Sequence, residues 1–333
     1  MATVTGTQIG DLGFGLMGLT WRPTVTPDEQ AFATINKAIE LGANFLNSGE
    51  FYGQPSQPTA NLDLLKRFFE KYPEQAEKTV ISVKGGIDSK TWLPDGSPEG
   101  VRKSVENSIK HLGNVKKLDL FECARVDKNV PIETTVAALG ELVKEGLIGG
   151  ISLSEVKPET IERAAKVHKI EAVEVEFSLF SLEAKDLGVL DTAAKLGIPV
   201  IAYSPLGRGF LTGQIKDRSQ IPEGDIRLFF ERFSEENFPL NLVLVEKIEE
   251  LAKAKGVTVA QFAIAWIKKH EDVISGLKII PIPGATTVSR VEENLAAIHS
   301  LTDEEFAQVN EILSKVEVKG GRYNKHAESH LWG

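Results

Sequence analysis

The 333-residue chain is predicted to be an α/β protein, a single (β/α)8 barrel spanning 1–333. Two observations carry this prediction. Eight short apolar or β-branched runs alternate with longer stretches of helical spacing. Such alternation predicts parallel strands joined by right-handed crossovers, and eight units close into a barrel. An open doubly wound sheet would prefer a glycine-rich loop of the form G-x-G-x-x-G after its first strand, and none stands after the first strand here.

The first strand is FGLM (14–17), and a helix starts near Pro27-Asp28-Glu29, whose acidic first turn suits the helix dipole. FLNS (45–48) precedes a helix at 60–72, and TVISVKGG (79–86) contains the third strand, 79–85. SPEGVRKSVENSIKHLG (97–113) reads as a helix with Ser97 as N-cap, Pro98 at its first position and Gly113 as its stop. LDLFECA (118–124) is the fourth strand, followed by the helical VPIETTVAALGELVKEG (130–146). GGISLS (149–154) and KPETIERAAKVH (157–168) form the fifth unit. The sixth joins a strand at 172–178 to a helix within 182–197. IPVIAYSPLG (198–207) holds the seventh strand, 198–204. VTVAQFAIAWIKKH (257–270) is a helix, IIPIPGA (279–285) holds the last strand, and SRVEENLAAI (289–298) its helix.

Two segments stand outside this repeat. Residues 206–240 form a connection too long to be structureless, and Phe210, Phe229, Phe230, Phe233 and Phe238 argue for an ordered flap. The tail, 316–333, carries Arg322, Tyr323, His326, His330 and Trp332, and is either a loose end or a wall of the active site.

Composition narrows the function. The chain is 42% hydrophobic and 26% charged, which supports a large core. A net charge of −9 argues against a nucleic-acid or anionic-membrane partner, both of which need a basic surface. One cysteine, Cys123, excludes an intrachain disulfide and a cysteine-ligated zinc site. The histidines form no H-x-H pair, and no metal is expected. Without a membrane-length apolar run or a signal-like start, the expected location is the cytoplasm, with the nucleus as a second compartment.

A barrel of this kind places its chemistry at the C-terminal strand ends and the loops beyond them. Tyr52 lies past the second strand and Lys84 near the end of the third. Ser154 and Glu155 end the fifth strand, Glu174 and Glu176 lie on the sixth, and Tyr203 and Ser204 end the seventh. Lys84 stands in an otherwise apolar strand, so it must pair, deprotonate or face the mouth. Beside a tyrosine, its cation favours the phenolate and lowers the tyrosine pKa from about 10, as a general acid near neutral pH requires. Taken singly, Tyr52 reads as a packing aromatic and Lys84 as a surface charge. Their presence on adjacent strands favours a functional pair.

PIPGATTVSRVEENL (281–295) is the second informative stretch. Gly284 lets backbone approach a ligand, the helix N-terminus offers amides to a phosphate, and Arg290 suits a bidentate clamp. Glu293 and Asn294 share the helix face of Arg290 and suit an adenine amino group. Tyr203 in IAYSPLG suits stacking on a flat ring, or the core.

GEFYG, SVKGG, a serine ending the fifth strand, IAYSPLG, and PIPG followed by R-x-x-E-N together resemble the aldo-keto reductases over essentially the whole chain. The resemblance implies a barrel that uses NADPH. It implies Tyr52 as proton donor and Lys84 as its partner. It places Ser154 and Glu174 at the nicotinamide carboxamide, and Tyr203 against the nicotinamide ring. Ser204, Leu206 and Gly207 fall on the pyrophosphate loop. Gly284, Thr286, Thr287 and Arg290 fall on the 2′-phosphate pocket, with Glu293 and Asn294 at the adenine.

Three positions depart from that pattern. Asn47 stands where the family usually has aspartate, Ala124 where it usually has histidine, and Glu174 where glutamine is common. Lys84 is therefore expected to lack its carboxylate. Asn47 can hydrogen-bond Lys84 but not neutralise it, which would depress the Tyr52 pKa further. Ala124 opens room beside the substrate carbonyl. Trp21, Ala124 and Arg125 are expected to border the substrate, although strand alternation sends Cys123 and Arg125 away from the face of Ala124. WRPTVTPDE, PTANLDLL, CARVD and GGRYNK are similar to the fungal pyridoxal reductases within that family. This implies reduction of pyridoxal to pyridoxine, in vitamin B6 metabolism. The substrate's phenolic oxygen, ortho to its aldehyde, polarises the carbonyl internally and eases the loss of an imidazole. The resemblance also leaves open other aldehydes or ketones, a cofactor-binding regulatory barrel, and a tail imidazole from His326 or His330 in place of the missing histidine.

Overall fold

The computed structural model describes residues 1–88, 90–296 and 299–333, with the side chains of 325 and 326 also outside the description. Eight parallel strands form one sheet: β1 (Phe14–Gly15), β2 (Phe45–Gly49), β3 (Val80–Gly85), β4 (Leu120–Cys123), β5 (Gly150–Ser154), β6 (Ile170–Glu176), β7 (Val200–Tyr203) and β8 (Ile279–Pro281). Each pairs with its sequence neighbour. The sheet closes on itself where Gly13 N donates to Pro281 O at 3.0 Å and Gly15 N to Pro283 O at 3.3 Å.

Closure explains the first glycines. The stretch GFGLMG (13–18) does spell G-x-G-x-x-G, but it runs through β1 into the turn Met17–Thr20. A Cβ on Gly13 would meet Ile282 Cγ2 at 2.8 Å, and one on Gly15 would meet Ile282 O at 2.9 Å. These two glycines let β1 and β8 approach, a packing role with no phosphate loop involved.

Helices cover the outside as expected. Ser97 caps Pro98–Leu112 by accepting from Gly100 N at 3.0 Å, and Gly113 ends that helix with a left-handed φ of 73°. The last two residues of the expected helix 289–298 lie outside the described residues, and its described part is Val288–Leu295. Beyond short helical turns such as Met17–Thr20 and Lys325–Glu328, three elements stand outside the sequence reading. A hairpin, Ala2–Val4 with Thr7–Ile9, precedes the barrel. Helices Asn237–Lys255 and Asp303–Lys315 follow the long connection and β8. The second carries a readable signal, a capping box of Thr302 with Glu305.

Strand periodicity builds the interior in layers. Phe45, Val80, Leu120, Ala172, Ile201 and Ile280 join Ala2, Val4 and Ile9 of the hairpin in one apolar cluster. The hairpin therefore packs against the N-terminal end of the barrel interior. Two residues further along the strands come Asn47, Ser82, Glu122, Glu174 and Tyr203, and four further along β3 comes Lys84. An apolar floor thus gives way to a polar layer beneath the C-terminal mouth.

Candidate active site

Tyr52 sits in the turn after β2. The turn is held by Thr20 Oγ1, which donates to Tyr52 O at 2.6 Å. Gly49 permits the ring to fold back, since a Cβ there would lie 2.8 Å from the ring. Tyr52 is buried with Phe51 and Ala124, and Trp21 and Ile87 pack on this group. Trp92, not singled out from sequence, stacks on Trp21 with centroids 5.5 Å apart and rings 11° from parallel.

Lys84 is buried and faces two carboxylates. Glu174 Oε1 forms a very short ion pair with its Nζ, and Glu122 Oε1 lies 4.0 Å away. Asn47 Nδ2 donates to Glu174 Oε2 at 2.6 Å, and Ser152 Oγ donates to Glu122 Oε2 at 2.9 Å. Two expectations are corrected. Lys84 does have a carboxylate, supplied by β6 instead of β2. The Tyr52 hydroxyl is not depressed: burial pushes it up to about 12, although the Lys84 charge pulls the other way. Burial works against the Lys84 ammonium, but Glu174, Tyr52 and Glu122 outweigh it and hold it above the usual lysine range. Burial and the neighbouring Glu174 push the Glu122 carboxyl well up.

A second charged group lies beside the first. Lys84 Nζ stands 4.7 Å from the centre of the Tyr203 ring. The Tyr203 hydroxyl donates to Glu155 Oε1 at 2.8 Å and lies 2.9 Å from the Tyr323 hydroxyl. Arg322 is buried and binds Glu155 at 2.7 Å and Glu176 at 3.0 Å. Arg208 binds Glu176 at 2.9 Å and lies 4.2 Å from the Tyr323 ring centre. The tail is therefore a wall at the strand ends through Arg322, Tyr323 and Trp332, the last lying 5.3 Å from the Arg322 guanidinium. His330 lies beyond the short helix Lys325–Glu328, and the His326 side chain lies outside the described residues.

Arg125 corrects the alternation argument. β4 ends at Cys123, so the period-2 rule stops before it. Arg125 donates to Ala124 O at 2.5 Å and lies 5.4 Å from the Tyr323 ring centre, at the mouth.

Of the residues expected at a cofactor, Ser154 is the plainest. Its hydroxyl is buried and has no hydrogen-bond partner among the described residues, so an added carboxamide would satisfy it. Glu174, expected at that carboxamide, is occupied by Lys84 and Asn47. Ser204 and Gly207 both have left-handed backbone, with φ of 50° and 56°, and Gly207 N donates back to Ser204 O at 3.0 Å. Glu155 is left-handed as well, at 54°. Non-glycine residues held in this region are enriched at functional sites. Leu206 is buried within the same turn.

Gly284 bridges to Gly15 across the closure, where a Cβ would lie 3.1 Å from Gly15 O. Thr286 O accepts from Gln30 Nε2 at 2.6 Å, and Thr287 is the N-cap residue of Val288–Leu295. Arg290 pairs with Glu293 on that helix, and Asn294 is buried. The long connection reaches this region: with its amide oxygen turned inward, Gln214 accepts from Arg290 Nε at 2.7 Å. That connection is ordered as expected. Phe210 stacks with Phe180, Phe233 and Phe238, and Phe230 meets Tyr323, while Phe229 is exposed.

A barrel with a buried Tyr–Lys pair at its mouth is found together with a family match. Residues 11–314 match the aldo/keto reductase family. The chain belongs to that family. It is 46% identical to the "Probable pyridoxal reductase 2" of Schizosaccharomyces pombe, over 99% of each chain. It is 35% identical to "Aldo-keto reductase yakc [NADP(+)]" of the same organism, over 96% of this chain and 93% of that one. Among solved structures, a glycerol dehydrogenase of Gluconobacter oxydans superposes with a TM-score of 0.79 at 26% identity, covering 96% and 97% of the two chains. The protein is an oxidoreductase of a family that uses nicotinamide cofactors. Among the described residues, no helix is long and apolar enough to cross a membrane.

Proposed function

We propose that this aldo-keto reductase uses NADPH to reduce pyridoxal to pyridoxine, with residues 1–333 acting as one domain in the cytoplasm. The observation that carries the reading is Tyr52, buried beside Lys84 and Ala124 under a wall of Trp21, Phe51 and Trp92. The aromatic wall suits a flat heteroaromatic aldehyde, and alanine at 124 leaves room for its ring substituents. The name of the S. pombe pyridoxal reductase supports the substrate, and the NADP(+) in the name of the second relative supports the cofactor.

A bound reduced nicotinamide supplies the hydride that reaches the aldehyde carbon. Tyr52 gives its proton to the developing alkoxide oxygen. Lys84 stabilises the phenolate that remains, and Glu174 keeps Lys84 in place. A hydroxyl raised to about 12 stays protonated through neutral pH and so is loaded as an acid. Ser154 would orient the carboxamide, Tyr203 would stack on the ring, and Ser204, Leu206 and Gly207 would hold the pyrophosphate. Thr286, Thr287 and Arg290 suit a 2′-phosphate, for which a guanidinium is the better match.

NADPH oxidation with pyridoxal, in wild type and Tyr52→Phe side by side, tests the reading. The variant should lose roughly 10²- to 10⁴-fold in kcat, the usual contribution of a positioned acid, while still binding NADPH. Wild-type turnover of unrelated aldehydes equal to that of pyridoxal would sink the substrate assignment. NADPH binding with no turnover at all would favour a regulatory barrel.

A further inference from the structure

We propose that Glu174 on β6 carries the negative charge that neutralises Lys84, while Asn47 on β2 supplies only an amide, and that Glu174 is the positioning residue for Lys84 and hence for Tyr52. The inference rests on the reductase reading and deepens it, by taking Glu174 away from the cofactor and giving it to the Tyr52–Lys84 pair.

Geometry makes the argument. Three side chains from three different strands converge on the Glu174 carboxylate region: the Lys84 ammonium on Oε1, the Asn47 amide on Oε2, and Glu122 beyond Lys84. Asn47 and Glu174 are partners in one 2.6 Å hydrogen bond. An amide and a carboxylate can trade places across such a contact and keep both the bond and one negative charge near Lys84. Aspartate at 47 with glutamine at 174 would be the mirror arrangement.

Charge counting assigns the second carboxylate. One ammonium faces two fully buried carboxylates. Both cannot stay ionised in a dry interior without leaving a net charge uncompensated. Glu174 accepts from two donors, one of them cationic. Among the described residues Glu122 accepts only from the neutral Ser152 hydroxyl, and its Oε1 has no hydrogen-bond partner. Glu122 therefore holds the proton and Glu174 the charge. Burial and the adjacent Glu174, which push the Glu122 carboxyl up, agree with this division.

The consequence lies in the titration of Tyr52. The charged or titratable groups acting on it are Lys84 from β3, Glu174 from β6, Glu122 from β4 and Tyr323 from the tail. Lys84 favours the phenolate and Glu174 opposes it. Removing the Glu174 charge leaves Lys84 uncompensated, and the hydroxyl then ionises at lower pH.

The experiment compares Glu174→Gln, Glu122→Gln, Glu122→Gln/Glu174→Gln and Asn47→Asp/Glu174→Gln with wild type. It reads the alkaline limb of kcat and the dissociation constant of NADPH. Glu174→Gln should move the limb to lower pH with NADPH affinity within a few-fold of wild type. The Glu122/Glu174 double variant should move it further, because Glu122 can no longer ionise as a substitute. Asn47→Asp/Glu174→Gln should return the limb toward wild type, and Glu122→Gln alone should leave it in place. An unmoved limb in Glu174→Gln with weakened NADPH binding would overturn the proposal and return Glu174 to the carboxamide. A limb moved as far by Glu122→Gln as by Glu174→Gln would overturn the charge assignment. Should Glu174→Gln fail to fold, folding restored by the Asn47→Asp exchange supports the assignment, and failure of both overturns it. The tyrosinate absorbance of Tyr52, taken against Tyr52→Phe, reads the same shift with no substrate present. Absence of pyridoxal turnover would thus sink the proposed function while leaving this test standing.

Discussion

Two buried ion clusters lie side by side under the barrel mouth, and they solve the same problem in opposite ways. Around Lys84 there are two carboxylates, Glu122 and Glu174, and one cation. Around Glu155 and Glu176 the balance favours the guanidiniums, with Arg322 and Arg208 bound directly. A buried cluster with spare carboxylate keeps a proton, whereas one rich in guanidinium stays ionised, because arginine does not give its proton up. The directions follow. Burial and Glu174 push the Glu122 carboxyl up. Burial would push Glu155 and Glu176 up as well, but Arg322 with Arg125, and Arg208 with Arg322, outweigh it and hold both below the usual range. Tyr323 follows its neighbours in the same way: burial opposes ionisation, yet Arg208 and Arg125 bring its hydroxyl below 10. The lysine cluster can exchange a proton and suits chemistry. The arginine cluster is a fixed clasp that docks the tail.

The largest effect should come from opening the clasp. Arg322→Leu leaves Glu155 and Glu176 buried with one guanidinium fewer, and breaking a buried pair from one side costs about 3–5 kcal/mol. Urea denaturation should show that loss, and a change below about 1 kcal/mol would mean that the tail is not docked by charge.

The pH dependence of stability separates the clusters by sign. Glu176 is depressed in the folded state, so its contribution is present above the ordinary glutamate value of 4.5 and is lost as pH falls below it. Glu122 is raised, so the folded chain keeps a proton that the unfolded chain loses above 4.5, and stability declines as pH rises past that value. Glu122→Gln should therefore be more stable than wild type at pH 7, with the gain fading below about pH 4.5. Glu176→Gln should be less stable at pH 7, with its deficit shrinking over the same descent. Thermal melts of both variants at pH 7 and pH 4 decide the matter, and equal signs would break the comparison.

Tyr323→Phe should be the mildest change. It removes the hydroxyl 2.9 Å from Tyr203, while Tyr203 keeps Glu155 and Arg322. A loss of about 1 kcal/mol or less is expected in the same denaturation assay. A larger loss would mean that the tyrosine pair, and not Arg322, seals the tail.

Much of this was legible in the chain itself. The eight strands appear where the apolar runs stand, and the caps at Ser97 and Gly113 act as their residue types require. The period of two along β2, β3 and β6 already directs Asn47, Lys84 and Glu174 to one interior. Helix Asn237–Lys255 lacks an N-cap side chain that hydrogen-bonds its first turn, so no local signal marks its start. Arg125 escapes the alternation rule because it lies two residues past the end of β4.

By itself, then, the sequence determined the alternating units and their inward faces, because these depend on periodicity and local caps. Only the tertiary structure decided which carboxylate meets Lys84 and what the tail does. Glu174 lies 90 residues from Lys84, and Arg322 lies 146 from Glu176. Contacts at that range exist only once the barrel has closed and the tail has folded back. Charge pairing at that range is a property of the closed interior, where low dielectric makes each unpaired group costly.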